Sequence, residues 1–213
     1  ATFTYTMHNI TASAGANGGI SPSGVIVTNE VSSTVFNITP NTKYSIADVK
    51  VDGVSQGAIS NYTFTNITAN HTIEATFTLI VYTISALSDS NTVLTPAGKT
   101  TTMEGMDVTY NISPAAHYHI ADVKVDGVSQ GPIPTYTFIN LTANHTIEAS
   151  SALNIYTISA TAGPNGSINP TGLQTYIDGS NAVFTMTPAT AYKPADVKVD
   201  GVSQGAISSY TFT

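Results

Sequence analysis

The chain has 213 residues, no Cys, Arg or Trp, and only 9% charged residues, six Lys against thirteen acidic groups for a net charge of −7. A nucleic-acid binder needs a cationic footprint to displace counterions from phosphates, and six scattered Lys in an acidic chain do not make one. The longest apolar runs, such as Leu79-Ile80-Val81, fall far short of the roughly 20 residues that cross a bilayer as a helix, so no membrane span is expected.

The first seven residues, "ATFTYTM", read as the end of a unit rather than its beginning, because "ATFT" recurs at 75–78 as the tail of a longer strand pattern. After them a period of 74 residues governs the sequence: Ala47, Ala121 and Ala195 open three identical copies of "ADVKVDGVSQG", and Pro40, Pro114 and Pro188 hold the same spacing. The expected organisation is a closing strand of a preceding or donated repeat at 1–7, repeat 1 at 8–81, repeat 2 at 82–155, and repeat 3 at 156–213, lacking its last strand. Two readings account for the ends. The sequence is a window on a longer array, whose secretion signal is removed or lies outside it, or Thr2, Phe3, Thr4, Tyr5 and Met7 form a strand that completes another copy.

Within each period the apolar residues alternate with polar ones, as strands require. Val49 and Val51 alternate with Asp48, Lys50 and Asp52; Tyr62 and Phe64 with Asn61 and Thr63; Ile73, Ala75, Phe77 and Leu79 with Thr72, Glu74, Thr76 and Thr78. Gly, Pro and Asn clusters punctuate these runs, Asp52-Gly53, Asp126-Gly127 and Asp200-Gly201 are tight-turn signals, and no amphipathic helix is expected. At each junction the alternation changes phase: apolar residues are odd-numbered from Ile73 to Val81 and even-numbered from Tyr82 through Ile84 and Ala86. A one-residue slip turns a strand's buried face over, so one extended segment should pass from one core directly into the next. With no Gly- or Ser-rich linker there, the units should be held stiffly as an elongated rod. The fold class expected is all-β, a tandem array of small β-sandwich-like domains with a β-grasp-like unit as the alternative.

The runs "YTISATAGPNGSINPTG", "VFTMTP", "AYKPADVKVDGVSQG" and "YTFTNITANHTIEATF" resemble the divergent internalin B-repeat family and related bacterial and archaeal surface repeats. The resemblance implies tandem arrays in large secreted or wall-attached proteins, a spacer, adhesive or filament-building role, no enzymatic activity, and a β-grasp with a short helix.

Candidate sites are few. Asp48, Lys50 and Asp52 alternate on one strand, and a calcium loop is opposed by the central ammonium; a self-neutralised solvent face ending in a turn fits better. His117 and His119 share a strand face but make half a zinc site, and His71 and His145 read as structural. No Ser, His and Asp stand in a nucleophile motif. No catalytic, metal or cofactor residue is therefore assigned. Nine N-x-[ST] sequons, at Asn9, Asn37, Asn61, Asn66, Asn70, Asn111, Asn140, Asn144 and Asn165, are candidate glycan acceptors if the chain passes a glycosylating machinery. Low charge with abundant Thr, Ser and Asn suggests an extracellular or cell-surface placement. The function expected is a structural tandem-repeat protein that builds a stiff surface stalk or a head-to-tail filament, by strand complementation between copies in the second case. The alternative is an adhesin binding glycans through the variable first half of each repeat. Partners are further copies of the chain and, in the alternative, surface glycans.

Overall fold

A computed structural model describes all of residues 1–213. It is all-β, with 23 strands and no helix. The first repeat contains β1 (Met7–Ala14), β2 (Gly18–Ser21), β3 (Gly24–Asn29), β4 (Thr34–Pro40), β5 (Tyr44–Val51), β6 (Val54–Ser55), β7 (Asn61–Phe64) and β8 (His71–Leu79). They form a five-stranded sheet in the order β3-β1-β8-β5-β6 and a three-stranded sheet in the order β2-β4-β7. Alternation gives each sheet one apolar face. Ile10, Ala12, Val49, Val51, Ile73 and Ala75 from the larger sheet share one core with Ile20, Phe36, Ile38 and Phe64 from the smaller. Two sheets closed on a common core without a helix make a sandwich, which decides between the two fold alternatives.

The centre of the larger sheet is β8. It runs parallel to β1, with Ile10 opposite His71 and Ala14 opposite Ala75, and antiparallel to β5, from Tyr44 opposite Leu79 to Val51 opposite Ile73, with a bulge between Ile46 and Asp48. The closing strand thus templates both of its neighbours.

The second repeat has the same elements: β9 (Val81–Ser88), β10 (Thr92–Thr95), β11 (Gly98–Met103), β12 (Val108–Pro114), β13 (Tyr118–Val125), β14 (Val128–Ser129), β15 (Thr135–Phe138) and β16 (His145–Leu153). Their order, β11-β9-β16-β13-β14 and β10-β12-β15, repeats the first. The third repeat has β17 (Ile155–Ala160), β18 (Gly166–Asn169), β19 (Gly172–Ile177), β20 (Ala182–Pro188), β21 (Lys198–Val199), β22 (Val202–Ser203) and β23 (Ser209–Phe212). No strand of this repeat stands where β8 and β16 stand in the others, and the large sheet is reduced to the pairs β17-β19 and β21-β22. Residues 192–197, the counterpart of most of β5, form no strand. The core shrinks to Ala160, Ala182 and Phe184, and Ile158 is only half-buried where Ile10 and Ile84 are fully buried.

By compactness the chain divides into two units, Ala1–Ile84 with Lys99–Val108 and Thr137–Asn144, and Ser85–Gly98 with Thr109–Tyr136 and His145–Thr213. The first contains the passage from repeat 1 to repeat 2, the second that from repeat 2 to repeat 3.

Candidate functional site

The thrice-repeated "ADVKVDGVSQG" closes on itself. Asp48 Oδ1 accepts hydrogen bonds from Ser55 Oγ at 2.6 Å and Gly57 N at 3.1 Å, while Gln56 N donates to Val49 O and Val49 N to Gly57 O. Asp122 does the same with Ser129 and Gly131, and Asp196 with Ser203 and Gly205. The loop therefore keeps its geometry in the third repeat, where the neighbouring strand is absent, because all its partners lie within nine residues. Asp52 and Asp126 adopt left-handed φ angles of 47° and 49° in the turn, as Asp tolerates. Sequence alternation correctly places Val49 and Val51 in the core, but the carboxylates are ordered by hydroxyl and amide donors, not by charge balance with Lys50.

The second acidic position ties the turn to the closing strand. Asp52 Oδ1 accepts from Thr72 N at 2.7 Å and its Oδ2 meets His71 Nδ1 at 2.7 Å, with the His71 ring against Phe64. Asp126 has the same partners in Thr146 and His145. Partial burial opposes ionisation of Asp52, but the His71 ring and the Thr72 amide overcome it and hold the carboxyl below its ordinary value. The His145 ring and the Thr146 amide do so for Asp126. A carboxyl whose pKa is lower folded than unfolded stabilises above the unfolded value, and that contribution fades as pH falls through the folded value. Acidification below about pH 4 should therefore loosen the closing strands, by under about 1 kcal/mol per clamp because both carboxylates are nearly half exposed. Thermal melts from pH 6 to pH 2 test this: Asp52→Asn with Asp126→Asn should melt lower than the parent at pH 6 and lose less on acidification.

The passage between repeats is the site that connects them. A single residue, Ile80, separates β8 from β9, and Asn154 separates β16 from β17, which is where the sequence changes phase. Ile80 N donates to Lys43 O at 2.9 Å and Ile80 O accepts from Glu104 N at 3.1 Å. Asn154 N donates to His117 O at 2.8 Å and Asn154 O accepts from Asp178 N at 2.9 Å. Each junction residue is thus bracketed on both sides by backbone hydrogen bonds, one to the repeat it leaves and one to the repeat it enters. Side chains add to the bracket. His117 has a left-handed φ of 69° and lies outside β13, so it does not share a strand face with His119 as the spacing suggested. Its Nδ1 lies 3.3 Å from Asp178 Oδ2, and His119 Nδ1 lies 2.9 Å from Asn154 Oδ1; both rings belong to the junction. Gly179 makes room for His117, since a Cβ there would lie 2.5 Å from the ring, and Gly105 likewise lies under Lys43, at 3.7 Å from its Cε. Sequence reasoning missed these contacts, although an acidic residue at each of Glu30, Glu104 and Asp178 was the available signal.

All nine sequon asparagines are exposed. Five have a structural reason to be Asn. Asn70 Oδ1 accepts from Asn9 N and Asn144 Oδ1 from Thr83 N, both at 2.8 Å, and Asn66, Asn140 and Asn165 occupy left-handed φ, which Asn tolerates. Asn9, Asn37, Asn61 and Asn111 stand on strands, where Asn is depleted. Tyr44, Tyr62 and Tyr82 are half-buried. No three His, Cys, Asp or Glu gather as a metal site would require.

Residues 1–6 form no strand and are exposed, Phe3 to 94% and Tyr5 to 80%. Thr6 O accepts from Glu30 N at 2.9 Å, the same bond that enters each later repeat. In the third repeat a groove of about 750 Å³ is lined by Ile158, Ala160, Gly166, Phe184, Tyr192 and Val197 among others.

No protein-family model matches the chain, and no curated protein does. Among solved structures, a crystal structure of the I9–I11 tandem from titin aligns with 88% of this chain and 95% of its own at 8% identity, with a TM-score of 0.14.

Proposed function

We propose that this chain is a non-enzymatic extracellular structural protein, a tandem-repeat element of a stiff surface stalk or head-to-tail filament, of the kind its resemblance to internalin-B-like repeats implies. The observation that carries the reading is the bracketed junction. A flexible linker would let successive sandwiches turn freely, whereas Ile80 and Asn154 are each fixed by backbone bonds to both neighbours. Force along such a chain would pass through strand pairing rather than through a loop. The exposed Asn37, Asn61 and Asn111 suit a glycan-bearing outer surface.

Electron microscopy of cells that make the protein, with an antibody label against the third repeat, tests the reading. Label in surface stalks or filaments with an axial repeat is expected. Label confined to the cell interior would overturn it, and specific binding on a glycan array, lost when the three variable loops are exchanged, would favour the adhesin instead.

A further inference from the structure

We infer that Asn17 and Asn165 are sites of spontaneous covalent modification, where the side-chain amide closes on the nitrogen of the following glycine and opens with water to aspartate or isoaspartate, whereas Asn91, at the same place in the second repeat, is protected. The inference goes beyond the stalk reading and does not depend on it.

The chemistry is set by the neighbouring residue. Asn17, Asn91 and Asn165 stand 74 residues apart and are followed by Gly18, Thr92 and Gly166. The main-chain nitrogen of the following residue attacks the Asn Cγ; that C–N bond forms, the bond from Cγ to the side-chain nitrogen breaks, and ammonia leaves. Water then opens the five-membered imide. Cleavage of the Cγ–N bond gives aspartate, and cleavage of the bond from the main-chain carbonyl carbon to nitrogen gives isoaspartate, with the chain continuing through Cγ. The attacking nitrogen must lose its proton, so the reaction quickens as pH rises. Glycine has no Cβ to obstruct the approach, whereas Thr92 is branched there.

The fold leaves the attacking nitrogen free at two of the three places. Asn41 N donates to Asn17 O at 2.9 Å, so Asn17 and Asn41 are a hydrogen-bonded pair and Gly18 and Pro40, the next in register, are not. The Gly18 N–H therefore points away from β4, out of the free edge of β2. Ala189 N donates to Asn165 O at 2.9 Å and Gly166 stands opposite Pro188, which repeats the arrangement. In the second repeat Ala115 N donates to Asn91 O, but Thr92 N also donates to Asp89 O at 3.4 Å and Asn91 N to Asp89 Oδ1 at 3.0 Å. Neither glycine nitrogen makes the bond that Thr92 makes. Ring closure needs the peptide group to rotate about the Asn Cα–C bond. At Asn17 and Asn165 only the carbonyl end of that group is tied, while at Asn91 both ends are. Asn17 and Asn165 are exposed to the water that opens the ring. Their left-handed φ angles of 74° and 71° suit Asp as well as Asn, so the aspartyl product keeps the turn. The isoaspartyl product does not, because it lengthens the main chain by a methylene. In the first repeat that turn carries the chain from β1 in the larger sheet to β2 in the smaller, beside the recess where Gly18 lies under Phe77. Modification thus adds a negative charge and, in the isoaspartyl form, loosens the smaller sheet as a molecule ages.

Purified full-length chain stored at pH 9 and at pH 5, then digested in acid and mapped by mass spectrometry, tests this. At pH 9 the peptides that carry Asn17 and Asn165 should gain one mass unit and resolve into aspartyl and isoaspartyl forms that accumulate with time, and the peptide that carries Asn91 should not change. At pH 5 all three should change far more slowly. Thr92→Gly should open Asn91 to the reaction. Gly18→Thr together with Phe77→Ser, which places the second repeat's pair in the first, should stop it at Asn17 and leave Asn165 as before. Hydrogen exchange of the aged chain should show the β2 amides of the first repeat less protected than in fresh chain. Asn17 and Asn165 intact over a time in which a free peptide of residues 13–21 is converted would overturn the inference, as would conversion of Asn91 in the parent chain at the same rate. Unchanged β2 protection in a chain shown to carry isoaspartate would overturn the structural consequence. Each of these results leaves the stalk reading to be judged by the microscopy.

Discussion

Replacing Ile10 or Ile84 by Ala should destabilise its repeat by about 2–5 kcal/mol, whereas Ile158→Ala should cost about 1 kcal/mol or less. The three residues occupy one position of the repeat, so local sequence does not explain the difference. Ile10 and Ile84 are fully buried. Ile10 sits where β1 meets the parallel β8, beside the core residues Ile67 and Ile73. Truncating it leaves a cavity walled on all sides, and the cost is lost transfer energy plus unrelaxed cavity. In the third repeat no strand lies beside β17 on that side, Ile158 is half-buried, and water already reaches the place that a methyl group would vacate. Because sandwiches in an array need not unfold together, the comparison belongs to hydrogen exchange at amides of each repeat under increasing urea. Equal costs at all three positions would mean that the third repeat closes its core without a closing strand.

Gly18→Thr should destabilise the first repeat by about 1–3 kcal/mol through overpacking, and Phe77→Ser in the same chain should recover much of that loss. A Cβ at Gly18 would lie 2.2 to 2.5 Å from three atoms of the Phe77 ring. The ring must leave its place against the core, since the strand backbone that carries Gly18 is held by β4. The second repeat already holds the rescued combination, Thr92 with Ser151, and Thr92 is buried there. A double-mutant cycle on urea unfolding of the first repeat should give a coupling of about 0.5–3 kcal/mol. Additive costs would show that ring and recess are independent.

Much of this architecture could be read from the sequence because it is periodic. The spacing of 74 residues, the alternation that buries Ile73 and Ala75 and the change of phase around Ile80 all follow from comparing the chain with itself. The choice of a sandwich over a β-grasp needed the structure, since pairing β1 parallel to β8 joins segments some 60 residues apart and no local pattern encodes it. The same is true of the site. Alternation showed that Asp48 and Asp52 face away from the core, but not that Ser55 and Thr72 would meet them. The spacing of His117 and His119 suggested a shared face, and one left-handed residue undid it. The exchange of Gly18 and Phe77 for Thr92 and Ser151 was present in the sequence, but it becomes a pattern only once Phe77 is known to lie over Gly18.

Amide exchange at the junctions tests most directly whether the repeats are joined by structure rather than by tether. Ile80, Glu104, Asn154 and Asp178 donate the bonds that bracket the two passages, so their amides should exchange slowly, at rates comparable to core amides such as that of Ile73. Exchange at the rate of an open chain at these four positions, with the cores on either side still protected, would contradict the account and leave sandwiches strung on flexible links.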